Sequence, residues 1–279
     1  MFTWLFRKVR RDVGPARDPT DAARVVVDQL KALAQPCLRI LGGGTGASRL
    51  GGVPNLASPW PRYESRPLSC IAQLDLAEMR AAGGPDWLPD AGRLMFFYEL
   101  EHGSWGMEAK DSGSSVVVYE TGDQSWATEP ADLAEEARFP TYPVRFAWDA
   151  SIPSEERLGI DWKRLAKAER LAIEAAVEAL QPPGPIHQVG GFAHPVQDPD
   201  MELQCQSVTE GAYLGYSDGS KTLGPMSSDA ADWRLLLQLD TDNDAGMMWG
   251  DTGMLYFWIR EQDARAGDFS RIWMILQCC

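Results

Sequence analysis

Two apolar runs in this chain end on the same polar triplet. Ser69–Leu76 reads SCIAQLDL, and Leu235–Asp242 reads LLLQLDTD. A short apolar run bounded by polar residues predicts a buried strand, so each Gln-Leu-Asp is expected to close one. Each is followed by a turn and an aromatic-rich run, DAGRLMFFYEL at 90–100 and DTGMLYFWIRE at 251–261, which predicts a second strand. A third pair precedes them: RLGGVP at 49–54 and QVGGFAHP at 188–195. The three pairs occur in the same order, with offsets of 139, 165 and 161 residues, so the loops between them differ in length. Ordered self-similarity of this kind predicts two related halves.

Helical spacing dominates elsewhere. Over residues 20–35, Ala23, Val26, Val27, Leu30, Leu33 and Ala34 share one face, Thr20 or Asp21 can cap, and Pro36 is expected to stop the helix. A second helix is expected from Trp162 to Leu180, capped by Asp161 and ended by QPPGP. A short third helix should follow Asp75, whose spacing to Glu78 is that of a capping box, with Gly83 or Gly84 ending it. Strands outnumber helices, so the fold class expected is α+β with a mainly antiparallel sheet. The organisation expected is an N-terminal helical segment (1–47), a first repeat (48–126), a connecting segment with a helix (127–185) and a second repeat (186–279), together one compact domain.

Composition narrows the functional classes. The formal charge is −14, which repels phosphate backbones and argues against nucleic acid, while leaving a basic partner electrostatically favourable. No apolar run is long enough to span a membrane. The first eleven residues, MFTWLFRKVRR, put Phe2, Leu5, Phe6 and Val9 on one helical face beside four basic residues. Such a segment can touch an anionic membrane surface weakly. The five cysteines are odd in number and lack a C-x-x-C, which fits reduced thiols and a cytoplasmic location better than a disulfide framework. The eleven tryptophans are expected in the core, or lining a stacking surface in a cleft.

Several stretches together resemble one family. They are SRLGGVP (48–54), SPWPR (58–62), PLSCIAQLDL (67–76), LPDAGRLMFFYEL (88–100), HQVGGFAHPVQ (187–197), WRLLLQLDTD (233–242), MWGDTGMLYFWI (248–259) and DFSRIWMILQC (268–278). The chain so resembles the YwqG-like family, a bacterial domain family of unknown function (domain of unknown function 1963). The resemblance implies a cytoplasmic α+β protein of two related halves and supplies no catalytic residue to carry over. Relatives found among toxin–immunity gene sets imply an inhibitory or accessory binding role.

The candidate chemistry is thin. LRILGGGTGAS at 38–48 contains Gly42-x-Gly44-x-x-Ala47, but Gly51, Gly52 and Pro54 follow, leaving no room for the helix whose N-terminus must meet a dinucleotide phosphate, so no cofactor is expected. In DTDNDAGMMWGD, Asp240, Asp242, Asp244 and Asp251 have the spacing of a calcium loop, with Ala245 where glycine belongs and Asp251 where a bidentate glutamate belongs. A solvated acidic loop is the preferred reading. His187, His194 and Cys205 match no recurrent metal or thiol–imidazole spacing. The triplets themselves read as structural. Gln73 and Gln238 are expected to be buried and bonded to backbone, Asp75 to cap its helix, and Asp240 to satisfy turn N–H groups. The function expected is therefore a non-catalytic protein that binds a partner, with the alternative of an enzyme or small-ligand binder whose tryptophan-lined cleft lies between the halves.

Overall fold

The computed structural model describes residues 19–122, 126–211 and 229–279. The basic-apolar segment 1–11 lies outside the described residues. In chain order the elements are α1 (Pro19–Ala32), β1 (Gln35–Gly42), β2 (Arg49–Leu50), β3 (Arg62–Tyr63), β4 (Arg66–Pro67), β5 (Ser69–Asp75), α2 (Leu76–Ala81), β6 (Arg93–Tyr98), β7 (Ser115–Glu120), β8 (Tyr142–Ser151), α3 (Lys167–Glu178), β9 (Gln188–Val189), α4 (Met201–Thr209), β10 (Trp233–Asp240), β11 (Met254–Arg260), α5 (Glu261–Arg265) and β12 (Trp273–Gln277). The chain divides into two compact units. Helices α1 and α3 belong to the first, with the segment Glu155–Pro182; the second is Ala34–Ser154 with Pro183–Cys279.

In the helical unit α1 packs against α3. Ala22, Val26 and Leu30 stand at helical spacing on the buried side of α1, and α3 buries Ile173 and Val177. Both helices differ from the expected bounds. Helix α1 ends at Ala32, and Pro36 lies inside β1 instead of terminating a helix. The ring of Pro36 disfavours helical geometry at Gln35, so the chain is already extended there. The central helix starts at Lys167, five residues later than Trp162. Residues Trp162–Arg164 form a separate 3-10 turn, and Leu165 is extended. Asp161 makes no cap bond; it pairs with Arg164 at 3.1 Å, while Glu169 takes the Ala166 N–H at 2.8 Å and so opens α3.

The second unit holds a ten-stranded sheet in the order β12-β11-β10-β9-β1-β8-β2-β5-β6-β7. Every pairing in it is antiparallel. The α+β class with a large antiparallel sheet is thus as the sequence implied. Period-two alternation then sorts side chains to two faces. Leu94, Phe96 and Tyr98 of β6 meet Leu255, Phe257 and Ile259 of β11 in one shared core, where the Phe96 and Phe257 rings stand edge to face at 5.3 Å. The alternate residues feed separate cores: Met95 and Phe97 pack with Leu56 and Leu68, and Tyr256 and Trp258 pack with Met201, Cys205 and Val208 around α4. Among the described residues no helix is long and apolar enough to cross a membrane.

Candidate functional site

The two glutamines sit at the centre of the polar architecture. Gln73 and Gln238 are each 0 % exposed. On β5, the Gln73 oxygen accepts the Asn55 N–H at 2.8 Å and the Arg49 guanidinium at 2.9 Å, while its amide donates to the Ala47 carbonyl at 3.1 Å. On β10, the Gln238 oxygen accepts the His194 N–H at 2.8 Å and its amide donates to the Ile186 carbonyl at 2.8 Å. Each glutamine therefore ties together the two ends of the loop carrying Gly-Gly. Those glycines share a left-handed conformation, with φ of 60° and 73° at Gly51 and Gly52, and 73° and 69° at Gly190 and Gly191. A side chain there is strained, which is why glycine stands at both.

The loop tips are held alike. Glu120, at the end of β7, accepts the N–H groups of Ala57 and Ser58 at 2.9 and 2.8 Å. Gln277, at the end of β12, accepts those of Val196 and Gln197 at 3.0 and 2.9 Å. The Asp75 N–H donates to Ser48 Oγ at 2.9 Å, and the Asp240 N–H donates to His187 Nδ1 at 3.0 Å.

Asp75 also caps α2, accepting the N–H groups of Ala77 and Glu78 at 3.0 and 3.1 Å. The reciprocal half of a capping box is replaced: the Glu78 carboxylate reaches the Ala47 and Ser48 N–H groups instead. Asp240, expected to hold N–H groups of its own turn, instead accepts with its carboxylate the N–H of Ile186, far away in sequence, at 2.7 Å. Asp242 is buried, taking the N–H of Asp244 at 2.8 Å and of Ala245 at 3.4 Å, and meeting His187 Nε2 at 3.1 Å. Because His187 Nδ1 accepts a backbone N–H, its proton sits on Nε2 and points at Asp242. Burial holds His187 below the ordinary histidine range, opposed by Asp242. Burial would raise the Asp242 carboxyl, but the His187 bond and the two N–H groups outweigh it and hold it low. The pair is a neutral imidazole donating to a carboxylate.

The carboxylates of Asp240, Asp242, Asp244 and Asp251 do not gather into a ligand set, nor do His187, His194 and Cys205. Among the described residues, the one group with ligand atoms within 4.8 Å of one another is Glu99, Glu101 and His102. There Arg66 already balances the charge, at 3.8 Å from Glu99 and 3.2 Å from Glu101. His194 gives its N–H to Gln238 and takes the Tyr256 hydroxyl on its carbonyl at 2.6 Å. Cys205 lies in α4, where burial pushes its thiol well up.

The sheet unit also contains a cleft of about 310 Å³, walled by residues 35–37, 83–87, 190–191 and 234–235. Its walls come from the start of β1, the turn after α2, the Gly190–Gly191 turn and β10. Trp87 is its aromatic wall, and the exposed Trp148 stands beside Gly83, within 3.3 Å of where a Cβ there would lie. Burial and then Asp149 push the Cys37 thiol in this wall up to about 11, so it is protonated at neutral pH and a poor nucleophile. The Arg234 guanidinium is held by Glu261 at 2.8 Å and by the Ala231 carbonyl at 2.6 Å. Sequence reasoning placed Gly83 and Gly84 only as a helix end and gave no role to Gln35, Pro85, Asp86 or Trp87. A Gly-Gly-Pro followed by tryptophan was the signal available, but it does not say that β1 lies alongside.

Fold and site together define an α+β protein with one wide antiparallel sheet and a tryptophan-walled cleft. Residues 48–278 match the model of a family described as a domain of unknown function (DUF1963), and the chain belongs to that family. A comparison with curated proteins finds no match.

Proposed function

We propose that this chain is a non-catalytic binding protein whose cleft beside Trp87 receives a group from a protein partner, in an inhibitory or accessory role of the toxin–immunity kind. The observation that carries the reading is the state of the polar side chains. Gln73, Gln238, Asp75, Asp240, Asp242 and His187 all hold the protein's own backbone or one another. The cleft is walled largely by glycine, proline and tryptophan. Exposed Trp148 beside it has the character of an interface anchor. The charge of −14 steers a basic partner toward such a surface. Four buried cysteines and one exposed one, all free, fit a reducing cytoplasm. The test is capture of a partner from the native cell by the wild-type chain and by Gln35→Arg, which puts a long cation into the cleft. Loss of one defined partner in the variant supports the reading. Capture indifferent to that variant, or turnover of a small molecule by the purified chain, overturns it.

The same reading includes two related halves, β2 with β5–β7 and β9 with β10–β12, which have exchanged their leading strands. Support comes from bonds that recur at constant offsets. Positions 47, 48, 55, 57 and 58 correspond to 186, 187, 194, 196 and 197, each 139 residues on, in the bonds from Gln73 and Gln238, to Ser48 and His187, and to Glu120 and Gln277. Strand β1 precedes the first half yet pairs with β9 of the second, Leu38 opposite Val189; β8 precedes the second half yet pairs with β2 of the first, Tyr142 opposite Leu50. The Ile40 N–H donates to His187 as the Val144 N–H donates to Ser48. Leading strands therefore correspond at an offset of 104 residues, as read from Leu38 and Tyr142, which makes Leu41 and Arg145 each other's counterpart and cross-strand partner. A crystal structure in which 47–120 failed to superpose on 186–277 by a half-turn about that pair would remove this part of the reading.

A further inference from the structure

The two halves treat one position differently, and the difference lies at the cleft. After each Gln-Leu-Asp the chain makes a loop closed by the same bond, from the Leu76 N–H to the Gly92 carbonyl at 3.0 Å and from the Thr241 N–H to the Gly253 carbonyl at 3.1 Å. Each loop carries its tryptophan shortly before that glycine: Trp87 in the first, Trp249 in the second. Trp249 is 1 % exposed, and the Phe139 ring packs edge to face on it at 5.7 Å. Phe139 lies just ahead of β8, in the stretch laid over Gly51 and Gly52.

Over Gly190 and Gly191 lies the corresponding stretch ahead of Leu38, contributing Pro36 and Cys37. The register that equates Leu38 with Tyr142 equates Pro36 with Pro140 and Gln35 with Phe139. Gln35 is exposed, and it lines the cleft together with Trp87. In one half the hollow beside the tryptophan is thus filled by the chain's own phenyl ring. In the other, glutamine stands at the ring's position and about 310 Å³ is open.

We propose that the cleft takes a phenylalanine-like aromatic side chain of the partner, set against Trp87 as Phe139 is set against Trp249. This rests on the reading of the chain as a partner-binding protein of two related halves. The chemistry follows from the filled counterpart. Trp87 is only 9 % exposed and lines the hollow together with prolines and with glycines that lack side chains, a setting in which a flat ring can meet the indole edge to face, the ring electrons of one against the hydrogen rim of the other. An aliphatic side chain fills less of the hollow and lacks that electrostatic fit. Gln35 at the mouth offers an amide to the backbone that carries the ring.

The probe is N-acetyl-phenylalaninamide, titrated into the full chain while the Trp87 indole N–H is followed by NMR, with N-acetyl-alaninamide as control. The expected result is a saturable shift at Trp87 in the millimolar range with the phenyl probe and none with the alanine probe. Gln35→Phe should supply the missing ring in cis, abolish that shift and raise the Tm, while Gln35→Ala should keep it. Phe139→Ala is a second arm: it empties the counterpart, so the phenyl probe should now shift Trp249 as well. No saturable shift at Trp87, or an undiminished shift in Gln35→Phe, overturns the proposal. If the probe fails to bind but Gln35→Phe still loses a captured partner, the aromatic assignment is wrong while the cleft remains a docking site. If the probe binds and partner capture ignores Gln35→Phe, the cleft is an aromatic site and the reading as a partner-docking surface fails.

Discussion

Gln73 and Gln238 each accept an N–H and donate to a carbonyl eight residues earlier, Asn55 with Ala47 and His194 with Ile186. Both amides are fully buried, and of the backbone groups they hold, Ile186 is buried too while Ala47, Asn55 and His194 are half-buried. Replacing either by leucine removes an acceptor and a donor at once. An unsatisfied buried group costs about 1–3 kcal/mol, so Gln73→Leu and Gln238→Leu should each lower stability by at least that order. Gln73 additionally holds Arg49, and its variant should be the worse of the two. Urea unfolding checks both values, and a neutral outcome at either position would mean that the loops are held by something else.

Helix α2 offers a smaller effect with a cleaner cause. Asp75 satisfies two N–H groups at its start. Asp75→Ala should cost about 1 kcal/mol, and Asp75→Asn should keep most of the stability because its carbonyl still accepts. Equal losses in the two variants would assign the effect to the 3.7 Å approach of Arg93 and not to the cap.

Asp75 also marks how far the residue pattern reached. The strands ending in Gln-Leu-Asp and the aromatic strands after them are legible as short continuous apolar runs bounded by turns, the mark of strands buried on both faces, and the antiparallel class follows from the excess of strands over helices. A glutamine flanked by Ala72 and Leu74, or by Leu237 and Leu239, on a core strand must be bonded, and that too is local chemistry. The start of α3 was illegible because Asp161 and Glu169 both offer a cap and only tertiary context selects Glu169. The cleft was illegible for a stronger reason. Gln35 and Gly190 are far apart in sequence, and what brings them together is the pairing of β1 with β9, which no window around either residue contains.

Thiol chemistry gives an independent check on the core. Cys37, Cys70, Cys205 and Cys278 are buried, while Cys279 is exposed. Burial raises the Cys37 thiol to about 11 and the Cys70 thiol to about 12, so little thiolate exists at pH 8 to attack a disulfide reagent. One thiol per native chain should react with such a reagent within minutes, and all five only after denaturation. Cys279→Ser should abolish the fast phase. A fast phase of two or more thiols would mean that a buried strand opens readily.

Acid should destabilise the protein through His187. Its imidazole is flanked by Asp242, Asp240 and Arg39, and burial, the largest influence, holds its folded pKa below the ordinary value. Well above about pH 6.5 the histidine is neutral in both folded and unfolded chains and contributes little pH dependence. As pH falls below that value the unfolded chain takes up a proton that the folded chain refuses, so folding stability declines. His194, also held low by burial, contributes with the same sign. Asp242 adds to it further down, below about pH 4, where the unfolded carboxylate is protonated before the folded one. The urea midpoint should therefore be flat between pH 8 and 7 and fall progressively toward pH 5. His187→Gln can still accept the Asp240 N–H and donate to Asp242 without titrating. It should start less stable at pH 7.5 but lose less between pH 7.5 and 5.5 than the wild type does. Identical losses in the two chains over that interval would exclude His187 as the source of the acid sensitivity.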